Sequence, residues 1–225
     1  MEVHVHNSPG AVARAASVRI GTLIADSDQR LSLGLAGGST PKATYRALCD
    51  WDEGWDRVDA WLSDERWVPH DDELSNGRMA METLLNHVDA TFHRPQWGSD
   101  IEPSDSAAMY ETLLREIHYE KRPDVIILGM GADGHTASLF PETDAIGETE
   151  HWFVSNSVPR LGQHRLTATY PLLRSAKVIM VLTVGLDKAL AVKASFEGHT
   201  PAGQLGDGEA LVEWHIDKEA ASLLS

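Results

Sequence analysis

A single cysteine, Cys49, stands among the 225 residues. No intramolecular disulfide can form, so stability has to come from packing, as suits a reducing cytoplasm. Long apolar runs are missing as well. VIMVLTV (178–184) falls far short of the roughly 20 residues that span a bilayer. The first ten residues, MEVHVHNSPG, lack the basic start and apolar stretch of a secretory signal. Positive charge is scarce: 19 Lys and Arg stand against 34 Asp and Glu, a net charge of −15. Such a surface repels nucleic-acid phosphates and anionic lipid, so neither is an expected partner. It repels a small anionic ligand too, unless cations gather locally.

What remains is an ordinary globular composition, 42% hydrophobic and 24% charged, sized for one domain over residues 1–225. Ser8-Pro9 reads as a helix start, a capping hydroxyl followed by proline in the first turn. Val12, Ala16, Ile20, Leu23 and Ile24 carry the helical period to about Asp28. LSLGLA (31–36) is a short buried strand running into Gly37-Gly38, and PKATYRALC (41–49) opens the next helix.

The alternation repeats. DAWLS (59–63) precedes a helical 75–88; a helix over 104–121 precedes PDVIILGMG (123–131). AKVIMVLTVG (176–185) precedes LDKALAVKAS (186–195); ALVEWHI (210–216) precedes a helical KEAASLL (218–224). EGHTPAGQLGDG (197–208) reads as a surface loop. Apolar strands alternating with helices predict an α/β fold: an open, mostly parallel, Rossmann-like sheet with helices on both faces. Ligands of such sheets sit beyond the carboxyl ends of the strands. AGGSTP, SDERW, GMGADGH and TVGLDK should therefore converge on one cleft.

Gly37-Gly38-Ser39-Thr40-Pro41 brings backbone close to a ligand and offers helix-start N–H groups to an anion, or is simply a tight turn with a hydroxyl cap. It lacks the G-x-x-x-x-G-K-S/T spacing of a Walker loop. Gly129-Met130-Gly131-Ala132-Asp133-Gly134-His135 matches G-x-G-x-x-G formally. Pro141 limits any helix after it, and HWFVSN (151–156) lacks the acid that would hold a ribose, so a dinucleotide site is rejected. The loop instead presents His135, able to exchange a proton near neutral pH, and Asp133, able to orient it.

Arg66 suits bidentate phosphate recognition or pairs with Glu65 on the surface. Ser75-Asn76 reads as a helix cap, with Asn76 alternatively facing the ligand. Arg165 and Lys188 are either cleft cations or, for Lys188, a solvated helix residue. His4 and His6, at an apparently unconstrained terminus, read as incidental rather than as metal ligands. Asp50, Asp52 and Asp56 miss calcium-loop spacing, because Gly54 is not at the sixth position. The seven tryptophans read as core and rim.

Together AGGSTPKATYRAL, SDERWVPHDDELSN, PDVIILGMGADGHTASLFPET, RLTATYPLL, VGLDKALAV and VEWHIDKEAA resemble the 6-phosphogluconolactonase family, in the family's order. The resemblance implies hydrolysis of 6-phosphogluconolactone to 6-phosphogluconate, the second step of the oxidative pentose phosphate route. It implies no cofactor and no metal, His135 as general base, and Arg66, Arg165 and Lys188 around the phosphate with Gly37, Gly38, Ser39, Thr40 and Asn76. The expected partner is the sugar-phosphate lactone, bound to a monomer or small homo-oligomer. Ala36 departs from the family's frequent serine. VPRLGQHRLT is less proline-rich than usual, which leaves Arg160 as the alternative to Arg165. Glucosamine-6-phosphate deaminases are similar in GGSTP, Asp64-Glu65 and Asp133-Gly134-His135. Their pattern has tyrosine at Arg66 and a histidine-supporting glutamate at Phe140. Isomerisation needs that relay and lactone hydrolysis does not, so Phe140 favours hydrolysis.

Overall fold

The computed structural model describes residues 1–119 and 121–224. Its apolar runs form one parallel sheet from β1 (Glu2–His6), β2 (Leu31–Leu35), β3 (Val58–Leu62), β5 (Thr91–His93), β6 (Val125–Gly129), β9 (Val178–Thr183) and β10 (Leu211–Asp217). The spatial order is β1-β10-β9-β6-β2-β3-β5. The order reverses between β2 and β6, and their carboxyl ends open the crevice that such a reversal creates.

Alternate strand residues face opposite layers, as the two-residue period requires. Val125 and Ile127 pack with Ala16, Ile20 and Ile24 of α1 (Pro9–Ala25) and with Tyr45 and Leu48 of α2 (Ser39–Leu48). Ile126 and Leu128 pack the other way, with Tyr110 and Leu114 of α4 (Pro103–Ile117) and Val192 of α6 (Ala189–Phe196). The Ser8 hydroxyl caps α1 by accepting from the Ala11 N–H. Between β3 and β5 lies α3 (Asn76–Ala80), which continues as a wider helical turn over Met81–Leu85. A short α5 (Tyr170–Leu173) precedes β9. Among the described residues no helix is long and apolar enough to cross a membrane.

Several expectations need correction. A second sheet, antiparallel, joins β4 (Asp64–Arg66), β8 (Gln163–Ala168) and β7 (Phe153–Val158) in the order β4-β8-β7. The segment holding His4 and His6 is not free: as β1 it pairs with β10 over five residues. α2 starts at Ser39, with Pro41 inside the first turn, where a missing N–H leaves no gap. The 197–208 stretch is a support rather than a surface loop. Thr200, Ala202 and Leu205 are buried, and Ala202 N–H donates to the Gly134 carbonyl at 3.0 Å. Residues 218–224 form successive turns instead of a helix. The Asp217 carboxylate takes both the Ala220 and the Gly185 N–H, tying the segment to the end of β9. The predicted helix over 104–121 ends at Ile117, and its residue 120 lies outside the described residues.

A buried polar chain ties α4 to the sheet. Trp61 Nε1–H donates to Ser32 Oγ at 2.8 Å, and Ser32 donates to His118 Nε2 at 2.6 Å. His118 Nδ1–H in turn donates to the Leu114 carbonyl at 2.8 Å. This pattern requires a neutral ring, and burial pushes the His118 pKa down to about 4 from 6.5. The unfolded chain therefore binds a proton through a window in which the folded chain does not, and stability falls as pH drops from about 6.5 to about 4. Equilibrium denaturation across that window is expected to show a loss of about 3 kcal/mol from this group. A His118→Gln variant should show a correspondingly flatter profile. An unchanged slope in the variant would mean that the titration lies elsewhere.

Candidate active site

Four strand ends build one cleft of about 700 Å³, within the size range of small-molecule sites. At the end of β2 the Tyr45 hydroxyl clamps Ala36, donating to its carbonyl and accepting from its N–H, both at 2.8 Å. Burial raises the Tyr45 pKa, so the phenol stays protonated and keeps both roles. Gly37 must be glycine: a Cβ there would lie 2.0 Å from Asn76 Oδ1. Gly38, at φ +105°, makes the turn into α2 without a side-chain cap. The α2 N-terminus therefore faces the cleft beside Ser39 and Thr40, which line it.

Beyond β6 the loop folds back on itself. Gly131 N–H donates to the His135 carbonyl at 2.9 Å, and Gly134 N–H to the Gly131 carbonyl at 3.0 Å. This places His135 Nδ1 2.5 Å from Asp133 Oδ1. Gly131 leaves room for the pair, since a Cβ there would sit 2.1 Å from the imidazole. Phe140 lies on the ring, with centroids 4.1 Å apart and planes tilted by 31°. Arg160 covers Phe140, its guanidinium carbon 4.9 Å from the ring centroid, and donates to Asp133 Oδ2. Burial alone would raise the Asp133 carboxyl. Arg160 and His135 outweigh it and hold the pKa at about 2.

The neighbouring Ala137 has φ +46°, a left-handed backbone uncommon without glycine. It is held from both sides. Thr136 Oγ1 donates to the Gly129 carbonyl at 2.9 Å, and Ser138 Oγ to Asp64 Oδ2 at 2.8 Å.

β4 and β8 supply the cations. Their register sets Arg66 opposite Arg165. The alternative pairing of Arg66 with Glu65 does not form. Glu65 instead accepts the Arg66, Asn76 and Gly77 N–H groups and the Ser75 hydroxyl at 2.7–2.9 Å, capping α3. Burial pushes the Glu65 carboxyl up, opposed by those four donors. Arg66 Nη1 donates to the Leu74 carbonyl at 2.6 Å, leaving its Nε buried without a partner. Arg165 is 8% exposed, and its Nε and Nη1 have no partner among the described residues. Burial, then the nearby Arg66 charge, lowers its pKa. After β9, Lys188 lines the cleft with Nζ 3.4 Å from Asp187 Oδ2.

The structure thus gathers Gly37, Gly38, Ser39 and Thr40 with Arg66, Arg165 and Lys188 around Asp133 and His135. Asn76 is the exception. It is buried behind Gly37, donating its amide to the Asp64 carbonyl at 2.9 Å, and supports the loop from below. Arg160 and Arg165 also part ways: Arg160 is committed to Asp133, while Arg165 keeps Nε and Nη1 without a partner among the described residues. Sequence reasoning missed Glu65 as a cap and Asp64 as the anchor of Ser138. Both acids sit beside Arg66 in the chain and look like its counter-ions. Among the described residues the cleft gathers four Lys and Arg side chains against three carboxylates, a local reversal of the chain's −15.

The family model described as "Glucosamine-6-phosphate isomerases/6-phosphogluconolactonase" matches residues 7–214. A 6-phosphogluconolactonase of Streptomyces coelicolor is 32% identical, the match covering 98% of this chain and 93% of the relative. One from Mycobacterium tuberculosis is 34% identical over 91% of this chain and 89% of its own. The solved structure of 6-phosphogluconolactonase from Trypanosoma brucei superposes with a TM-score of 0.86 at 28% identity, covering 100% of this chain and 98% of that one.

A buried, partnerless cation next to another cation costs stability and creates anion affinity. Arg165→Met is expected to raise Tm in phosphate-free buffer, by the equivalent of about 0.5–2 kcal/mol. It should also weaken inorganic phosphate binding, read by calorimetry, at least about tenfold, the scale of one lost charge-assisted contact. Unchanged phosphate affinity would remove Arg165 from the anion site.

Proposed function

The chain belongs to the glucosamine-6-phosphate isomerase/6-phosphogluconolactonase family, and on that premise we propose that it hydrolyses 6-phosphogluconolactone to 6-phosphogluconate with His135 as general base. One observation carries the reading: an imidazole held by a carboxylate shares a cleft with two arginines that each keep a buried N–H without a partner among the described residues. The 37–40 loop, Arg66, Arg165 and Lys188 hold the phosphate, which places the lactone carbonyl by His135. Asp133 accepts the Nδ1 proton, so Nε2 carries the free lone pair. With its pKa held at about 2, Asp133 is a carboxylate near neutral pH, and so orients the ring without supplying a proton.

Nε2 takes one proton from a water as its oxygen bonds to the carbonyl carbon. Backbone N–H groups of the glycine-rich loop receive the oxyanion. The bond from that carbon to the ring oxygen then breaks, and the imidazolium returns its proton to the departing oxygen. The product is the open-chain acid, and His135 is again neutral.

Phe140 separates this reading from sugar-phosphate isomerisation or deamination. Its apolar ring lies on the imidazole where a relay carboxylate would have to stand. Lactone hydrolysis needs an activated water and a stabilised oxyanion, which this arrangement supplies without a relay. The substrate is small, and a chain with a single thiol fits a reducing compartment, which supports a cytoplasmic activity.

The test is proton release on adding freshly made 6-phosphogluconolactone, with the rate of spontaneous opening subtracted. The wild-type chain is expected to accelerate opening, and to release no ammonia from glucosamine 6-phosphate. His135→Ala should lower kcat by about 10²–10⁴-fold with KM little changed. Arg66→Ala should act mainly by raising KM. Full turnover by His135→Ala would rule out the imidazole as the base.

A further inference from the structure

Outside the cleft, one face of the β1–β10 edge carries three imidazoles and a buried carboxylate. The parallel register aligns His4 with His215 and Glu2 with Glu213, so alternate residues of both strands share a face. His4 stacks on His215 with centroids 4.8 Å apart, and the His6 ring is nearly parallel to that of His215, with centroids 5.3 Å apart. None of these residues lines the cleft.

Two features are unexplained by packing. His215 is 5% exposed, and its Nε2 is buried without a hydrogen-bond partner. A native structure rarely leaves such an atom idle unless a water or an ion completes it. Its other nitrogen, Nδ1, is already engaged by His6 Nε2 at 3.2 Å. With the proton on Nδ1, His6 accepts it and Nε2 presents a lone pair. That is the outer hydrogen bond that usually orients a metal-binding imidazole. The second feature is the geometry around that lone pair. Glu213 Oε2 lies 3.7 Å from it. One donor atom from each of His4, Glu213 and His215 falls within 4.8 Å of the other two.

We propose that His4, His215 and Glu213 form a site for one divalent transition-metal ion of the Zn²⁺ class, which pins the edge strand β1 to β10. Two imidazoles and one carboxylate suit such an ion and not Ca²⁺ or Mg²⁺, which take oxygen ligands. Bonds of about 2.0–2.2 Å at tetrahedral angles bring donor atoms about 3.4 Å apart. His4 is half-exposed and can swing inward to close the difference. Arg19 stays on the carboxylate: its Nη2 donates to Oε1 at 2.8 Å and its Nε is shared between Oε1 and Oε2 at 3.2 and 3.3 Å, with Oε2 the oxygen nearest the imidazole. The exposed side of His4 leaves the fourth position to water. The apparently incidental His-x-His of the sequence thereby acquires a partner contributed by the opposite end of the chain.

The experiment uses the full chain, stripped with chelator and titrated with Zn²⁺ by calorimetry. One ion per chain is expected to bind, with a Tm that rises with Zn²⁺. At 100 times Kd the folded state should be favoured about 100-fold more than in the stripped chain. His4→Gln replaces a half-exposed side chain, leaves the core intact, and is expected to weaken the site at least tenfold and abolish the Tm rise. His135→Ala should bind as the wild type does, which separates this site from the cleft. Co²⁺ in place of Zn²⁺ should give a visible ligand-field band that His4→Gln loses. Absence of wild-type binding below about 100 μM would overturn the proposal. So would Zn²⁺ binding unaltered by His4→Gln, or binding abolished by His135→Ala.

Discussion

Two guanidinium groups set against each other across β4 and β8, with their nearest acids spent elsewhere, are the constraint on which the cleft depends. Arg66 and Arg165 are register partners in a small antiparallel sheet. Asp64 and Glu65, adjacent to Arg66 in the chain, would neutralise them on an open surface. The fold diverts both: Asp64 to the Ser138 hydroxyl, and Glu65 to the start of α3. What is left is a small excess of positive charge, with guanidinium N–H groups unfilled, in a chain whose surface is strongly negative. That arrangement disfavours folding locally, and the two apolar layers of the main sheet offset it. The acidic exterior then acts as a filter, leaving the cleft the favourable place for a small anion.

The imidazole is positioned by the opposite strategy, in which nearly every neighbouring group is satisfied. The 129–135 loop closes on its own backbone and rests on Ala202 from a distant segment. Asp133 holds one face of the geometry, Phe140 covers the ring, and Arg160 holds Asp133 charged. Rigidity at the imidazole and unfilled bonding at the arginines are complementary. In the proposed reaction, one fixes where a proton is taken, and the other supplies the affinity that brings the reactant there.

The parts of this architecture legible in the sequence are those specified by local pattern. β2, β6 and β9 are continuous apolar runs that end in glycine or next to it, and their burial follows from that composition. The Asp133–His135 spacing, with glycines around it, offered a carboxylate able to orient the imidazole, but the contact itself, at 2.5 Å, is visible only in the structure. The parts that were not legible depend on partners far along the chain. β4 is three charged residues, and its strand character exists only because β8 lies about a hundred residues later. β1 has an alternating, mostly exposed sequence that becomes a strand by pairing with β10. Asn76 carries the chemistry of a ligand contact, yet it packs so closely behind Gly37 that a Cβ added there would lie 2.0 Å from its Oδ1. Residues 218–224 have helical composition, and Asp217 caps their first turn through the Ala220 N–H, yet the segment continues only as successive turns.

Ser63 joins the two sheets. Its N–H and hydroxyl both reach the Leu35 carbonyl in the main sheet, at 2.8 and 3.0 Å, while its own carbonyl accepts the Ala168 N–H of β8 at 2.7 Å. His135 belongs to the main sheet and the two arginines to the small one. The span from the imidazole to the guanidinium pair is therefore not a property of either sheet. It is a gauge length, set by how Ser63 and the Ser138–Asp64 hydrogen bond couple the two. Under the proposed function a reactant would be measured along its own carbon chain, from charged end to electrophilic end, before any side chain recognises its hydroxyl groups. Across proteins built on this plan, a change in that coupling would alter the length of molecule accepted while leaving both ends of the site chemically the same.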